Sequence, residues 1–302
     1  FAADPVNLAA GNIVRTGQTE NMIASGTAHI YAEQATASGV GLNAFDHFSV
    51  GNNQIANLYF QKENSDAMLH TLVNTVKDRI SIYGTVNAIR NNKIGGKLYF
   101  LSDKGMVVGS GGVINAGALT MLTSGDTFRS ADKAAQAIND NSWSLDKTAS
   151  IDIHGKINTA TGIDLRAAYI NVTKTGDTAP LLKTGAMFNT TVNAGKVSVT
   201  VQDQRLQAKV NDKGQVYFDD PNDNTTNKDL RGDGSIKLAA SAKSNNTSSN
   251  FLGLGLTDAV EAKAVVGTGA QIDAVGDVKI SAEATRENTT LDTFYDMLAY
   301  TK

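Results

Sequence analysis

The chain contains no cysteine, which excludes disulfide staples and thiolate metal sites and suits a protein that crosses an oxidising periplasm. Proline is scarce: Pro5, Pro180 and Pro221 are the only three in 302 residues, against 28 glycines. Proline removes a ladder donor whereas glycine serves tight corners, so this balance favours extended sheet. There is no basic surplus either. The 27 Lys and Arg and 30 Asp and Glu leave a net charge of -3, and the cations are scattered singly, which argues against nucleic acid as a partner. No apolar run approaches the roughly 20 residues that span a bilayer. Phe1-Ala-Ala-Asp-Pro5 has neither the basic nor the apolar region of a secretory signal, and the chain starts with Phe and not Met, so it reads as a soluble, mature or recombinant fragment whose export signal, if it has one, lies upstream.

Hydrophobic residues make up 41% of the chain, enough to bury a sizeable core. Their arrangement is most telling between Gly84 and Leu119. Short β-rich groups of two or three residues, Leu98-Tyr99-Phe100, Met106-Val107-Val108 and Val113-Ile114, recur between Gly, Asn and Asp turns, too closely for helices and too regularly for a linker. Such a rhythm predicts stacked turns of short strands around a continuous core, with Phe100, Val107 and Ile114 pointing inward. Upstream, Phe45, Phe48 and Val50, and Ile55, Leu58 and Phe60, alternate as inward positions of two further strands. The rhythm returns in Ala149–Ile157, Gly162–Val172, Gly195–Val201, Gly234–Ala240 and Ala270–Ala282, which suggests an internal repeat of roughly 20 residues.

Other segments break the pattern. In Asp66–Asp78 a helical spacing of Met68, Leu69, Leu72, Val73 and Val76 competes with strands, and the reading leans to strands. Ala131–Ile138 reads as a short helix or an excursion on the flank. Asp219–Asp229 is too polar for any core and predicts an exposed loop. Phe294, Tyr295, Met297, Leu298 and Tyr300 make the carboxyl terminus apolar, as expected of a chain cut where further strands once covered it. Asn52-Asn53, Asn91-Asn92 and Asn245-Asn246 are expected at corners, where Asn tolerates left-handed angles and amides can pair between neighbouring turns.

With these residues in view, the chain resembles the amino-terminal secretion domain of two-partner secretion exoproteins, in the filamentous haemagglutinin and leukotoxin-like filamentous adhesin group. The likeness is strongest over Thr27–Leu122. Gly41-Leu-Asn-Ala-Phe-Asp-His-Phe-Ser-Val50 matches the family's aromatic element. Asn53-Gln-Ile-Ala-Asn-Leu58 stands in place of its Asn-Pro-Asn-Leu motif, and Leu101–Gly117 in place of Asn-Pro-Asn-Gly-Ile and a Gly-rich turn. Neither Asn-Pro-Asn triplet is intact; Asn57-Leu58 and Gly105-Met106 keep the motif ends. The resemblance implies an all-β, right-handed parallel β-helix solenoid with an amino-terminal cap and extra-helical loops. Residues 1–145 would form the capped secretion domain and residues 146–302 the continuing turns. It further implies a monomer, secreted or held at the surface of a Gram-negative-type bacterium, recognised by periplasmic domains of an outer-membrane two-partner transporter. Phe45, Phe48, Asn53, Asn57, Leu58, Gly105 and Met106 are the residues implied in recognition or folding.

Other chemistry is sparse. His29, His47, His70 and His154 share no metal spacing. Gly109-Ser-Gly-Gly112 lacks the Lys-Ser/Thr and the helix of a phosphate loop and reads as a corner, and Ser110 lacks the flanks of a nucleophile elbow. Asp152 and Asp164 would stack one turn apart if they served a polysaccharide-cleaving site, yet they alternate with apolar Ile151, Ile153, Ile163 and Leu165 as an outward row does. Thus no enzymatic activity and no cofactor are expected. Arg231-Gly232-Asp233 is a tripeptide that integrins read on exposed loops, which leaves a host-cell receptor or glycan as a second class of partner; the favoured reading is a plain turn at Gly232 leading into the Gly234-Ser-Ile-Lys-Leu strand.

Overall fold

The computed structural model describes residues 10–221, 227–245 and 260–287. The middle of the Asp219–Asp229 excursion, Asn246 and the apolar carboxyl-terminal stretch lie outside the described residues. The fold is all-β and dominated by one large sheet of 20 strands whose long-range pairings are parallel apart from that of its first strand. Three ladders build it. In the first, Ala28, Ala56, Val86, Ile114, Ile157, Leu182 and Ile272 stand side by side. In the second, the row is Leu72, Leu98, Leu119, Ile163, Ile236 and Val278. In the third it is Ile80, Met106, Ile151, Ile170 and Ala264. Leu58, Leu98, Phe100, Ile114, Ile153 and Leu165 are fully buried in one continuous core, as alternation along a strand requires when one face is covered. Pairing runs unbroken across residue 145, since Val113–Leu122 pairs with Lys156–Ala167.

A strand at Asn12–Arg15 closes the amino end by running antiparallel to Phe45–Ser49. It lays Ile13 over Phe45 and Phe48, all buried to 1% exposure or less. Arg15 ties the closure down: it donates to Asn43 Oδ1 at 2.9 Å and to the Tyr31 carbonyl at 2.7 Å, and it pairs with Glu33 at 3.1 Å. At the opposite end the core rows finish uncovered among the described residues. Val278 and Ile280 are 47% and 50% exposed at positions where Ile236 and Leu238, one strand earlier, are fully buried.

The segment with two readings forms a strand, Thr71–Val76, and the alanine-rich stretch forms helix α1, Ala131–Asp140. Ser130 caps its first turn and Asn141, at φ 48°, ends it in the left-handed region. Ala131 and Ala134 are small enough to let the helix lie close on Leu42, Val73, Leu101 and Leu122, with Trp143 and Phe128 at the rim, making a second apolar layer outside the sheet.

Four expectations need correction. Val107 does not join the central core; Met106 and Val108 do, because three apolar residues in a row leave the phase of alternation undetermined. Likewise Ala56, not Ile55, is the inward residue before Leu58 and Phe60. The repeat is longer than 20 residues over most of the chain: successive first-ladder partners Asn57, Asn87, Asn115 and Asn158 are 30, 28 and 43 residues apart. Gly195–Val201 lies outside the large sheet. It belongs to an antiparallel hairpin, Ala186–Asn193 with Lys196–Arg205, turning at Ala194 and Gly195 with φ 49° and 79°. That hairpin folds back over Ile89 and Ile94, where the Ile94 amide donates to Thr190 Oγ1 at 3.1 Å.

Candidate functional site

The aromatic pair is structural. Phe45 and Phe48 meet edge to face at 5.3 Å, and Phe48 lies 5.2 Å from Phe100, so no ring presents an edge to a partner. Asn53 takes φ 62° in the Gly51–Gln54 turn and is exposed. Leu58 and Met106 are fully buried. Gly105 sits at a left-handed corner with φ +88°, and a Cβ there would meet the Ser150 carbonyl oxygen at 2.6 Å. Gly105→Val therefore costs about 2–4 kcal/mol, from the left-handed penalty plus displacement of the neighbouring strand. Thermal melting checks this, and a variant that melts like the parent would refute the corner assignment.

Asn57 lies inside a strand, Ile55–Lys62. It heads a buried amide ladder that runs across the sheet. Asn87 Nδ2 donates to Asn57 Oδ1 at 3.1 Å, Asn115 Nδ2 to Asn87 Oδ1 at 3.0 Å, and Asn158 Nδ2 to Asn115 Oδ1 at 3.1 Å. Each amide satisfies its neighbour, which makes polar groups tolerable in the interior and pins register. Asn57 Nδ2, at the head of the row, has no partner among the described residues. Of the asparagines expected at corners, Asn53, Asn91 and Asn92 take left-handed angles, φ 62°, 49° and 60°, but Asn245 ends the strand Ile236–Asn245, and the amide ladder is formed by strand asparagines and not by them.

Arg231-Gly232-Asp233 is anchored on both sides. Arg231 Nε donates to Asp219 Oδ1 at 2.8 Å and its guanidinium lies 4.3 Å over the Tyr217 ring. Gly232 exchanges backbone hydrogen bonds with Phe218, 2.8 and 3.1 Å, and a Cβ on it would meet the Thr161 carbonyl oxygen at 2.4 Å. Asp233 accepts from the amide and hydroxyl of Ser235. Lys209 and Arg231 together hold the Asp219 carboxyl below its usual range against the burial that opposes them.

No protein-family model matches the chain, and no curated protein matches it.

Asp152 and Asp164 do not stack: they occupy the third and second ladders. Asp152 pairs with Arg79 at 3.1 Å and Asp164 with Arg166 at 2.8 Å. Gly109–Gly112 forms a tight turn, with the Gly112 amide donating to the Gly109 carbonyl at 2.8 Å. His29 meets the Tyr59 hydroxyl, His47 meets Asp78 and His154 meets the Thr173 carbonyl. His70 sits between Thr71 and the Ser38 carbonyl, and burial lowers its proton affinity although Asp229 opposes the shift. Among the described residues no three His, Asp or Glu side chains converge as metal ligands.

Sequence reasoning missed a cleft of about 150 Å³ on the outer face of the second ladder, bounded by Lys97, Thr120, Gly162, Asp164, Arg231 and Asp233. Lys97 pairs with Ala118 and Ala118 with Gly162, so two minimal side chains beside a lysine leave the hollow. Only the alignment of distant strands reveals it.

Proposed function

We propose that the three ladders are the faces of a right-handed parallel β-helix, capped at its amino end, that serves as the secretion domain of a large secreted or surface filamentous adhesin. In this reading the periplasmic domains of an outer-membrane two-partner transporter recognise the chain. Outside the cell it templates the folding of the adhesin's downstream strands, because each new strand needs only its predecessor as a partner. The observation that carries the proposal is the asymmetry of the core. The amino end is closed by Asn12–Arg15 over Phe45 and Phe48, while the rows reaching Val278 and Ile280 stay open among the described residues. The resemblance over Thr27–Leu122 supplies the partner. Of the residues it implies, Asn53 is exposed enough for direct contact, whereas Phe45, Phe48, Asn57, Leu58, Gly105 and Met106 act through the fold. The proposal assigns no catalytic role.

The test is co-expression, with an upstream export signal, alongside the outer-membrane barrel that the reading places beside its gene. The chain is expected in the medium with the barrel present and in the periplasm without it. Purified periplasmic domains of the barrel should bind the chain with a Kd in the micromolar range, about 1–10 µM, as transient recognition requires. Release that is indifferent to the barrel overturns the proposal.

A further inference from the structure

The cleft beside Lys97 combines features that the secretion reading does not use. Its floor is Ala118 and Gly162, and its next row is Tyr99, Thr120, Asp164 and Lys237. The far wall, Arg231–Asp233, is held by the Phe218 bridge and by the close approach of Gly232 to Thr161, so the hollow is pre-formed. Most charges around it are already matched. Asp164 pairs with Arg166, Arg231 with Asp219, and Asp233 with Ser235 and, at 3.4 Å, with Lys237. Lys97 is the exception. Its ammonium makes no hydrogen bond or ion pair among the described residues, although it is largely withdrawn from water, and Asp220 and Asp229 act on it only at longer range. Burial accordingly lowers its proton affinity. Asp220 is itself turned to the Gly96 amide at 2.7 Å.

A half-buried ammonium without a direct partner is stabilised by an incoming anion more than a solvated one is. The remaining polar lining is hydroxyls, two carboxylates and the already paired cations Arg231 and Lys237, and the hydroxyls and carboxylates suit a ligand bearing hydroxyl donors. We propose that this cleft binds an acidic sugar, with Lys97 taking the carboxylate and Thr120, Asp164 and Asp233 taking ring hydroxyls. The proposal stands or falls independently of the transporter reading.

Ligand-observed NMR and calorimetric titration of the whole chain with glucuronate test it, with glucose and acetate as the two partial ligands. Glucuronate should bind at least about tenfold more tightly than either, since each lacks one half of the contacts. Lys97→Met should weaken glucuronate by about tenfold or more. Ala118→Leu, which fills the hollow and keeps the charge, should do the same, while Lys147→Ala leaves binding unchanged. Melting curves establish that each variant is folded; if Lys97→Met is not, the Ala118→Leu result decides. Equal affinity for acetate would reduce the site to a small-anion site, equal affinity for glucose would remove the role of Lys97, and absence of glucuronate binding would remove the site. Each of these overturns the proposal.

Discussion

Replacing Phe45 and Phe48 together with Asp abolishes cooperative folding of the amino-terminal end. Both rings are buried to 1% or less, and losing each costs about 3–5 kcal/mol by truncation. Two carboxylates in the same space, unpaired, add several kcal/mol more. Domains of this kind have about 5–15 kcal/mol in total, so the sum exceeds what the fold can absorb. Arg15 does not rescue the variant, because its guanidinium is already engaged by Glu33, Asn43 and the Tyr31 carbonyl. Circular dichroism melts and limited proteolysis give the readout, with Phe48→Leu as a conservative partner expected to cost about 1–2 kcal/mol. A double-Asp variant that melts within a few degrees of the parent would show that the cap does not hold the first strands. Under the proposed function, the same variant also fails to reach the medium.

The second large effect lies in the amide ladder, and its position dependence is the point. Asn87→Ala removes one hydrogen bond to Asn57 and one from Asn115, leaving a buried acceptor and a buried donor without partners. The expected cost is about 2–4 kcal/mol. Asn57→Ala breaks a single bond and also removes the amide nitrogen that already lacks a partner. Its cost should therefore be about half as large, roughly 1–2 kcal/mol. Urea denaturation midpoints at constant slope measure the difference. Equal losses at both positions would mean that the amides act independently and not as a row.

Much of the fold can be read from residues whose phase is unambiguous. Ile151, Asp152 and Ile153, or Ile163, Asp164 and Leu165, alternate so cleanly that their inward members are evident, and all four apolar ones are buried. Met106-Val107-Val108 carries no such phase, and there the inward choice fails. The 20-residue repeat rests on phrases such as Ser150–Ile153 and Gly162–Leu165, which fall in different ladders, although Asp152 and Asn171, partners within one ladder, are 19 apart. A similar spacing recurs between Leu98 and Leu119, 21 apart in the second ladder, while the first-ladder intervals are longer. Asn57, Asn87, Asn115 and Asn158 are hidden in the sequence because helix α1 stretches one of their intervals and no fixed period links them. Gly105 is legible as a glycine at a turn, and its left-handed angle bears that out. The Lys97 cleft is not legible, because it arises from what Ala118 and Gly162 lack, and their adjacency exists only once the strands are aligned.

The excursions carry a consequence for how such a chain can change over time. Helix α1 lengthens one first-ladder interval from 28 to 43 residues, and the hairpin region separates Thr184 from its neighbour Val275 by 91. Loop closure grows only logarithmically, so each doubling of the intervening chain adds about 0.6 kcal/mol. Inserting a whole hairpin between two paired strands is therefore a small perturbation beside the burial those strands gain. Register is set by the Asn row and the core rows, not by the length of chain threaded between them. Surface decoration and scaffold can accordingly diverge at different rates: new loops can be acquired, exchanged or lost at the corners while the stacked interior stays under unaltered constraint.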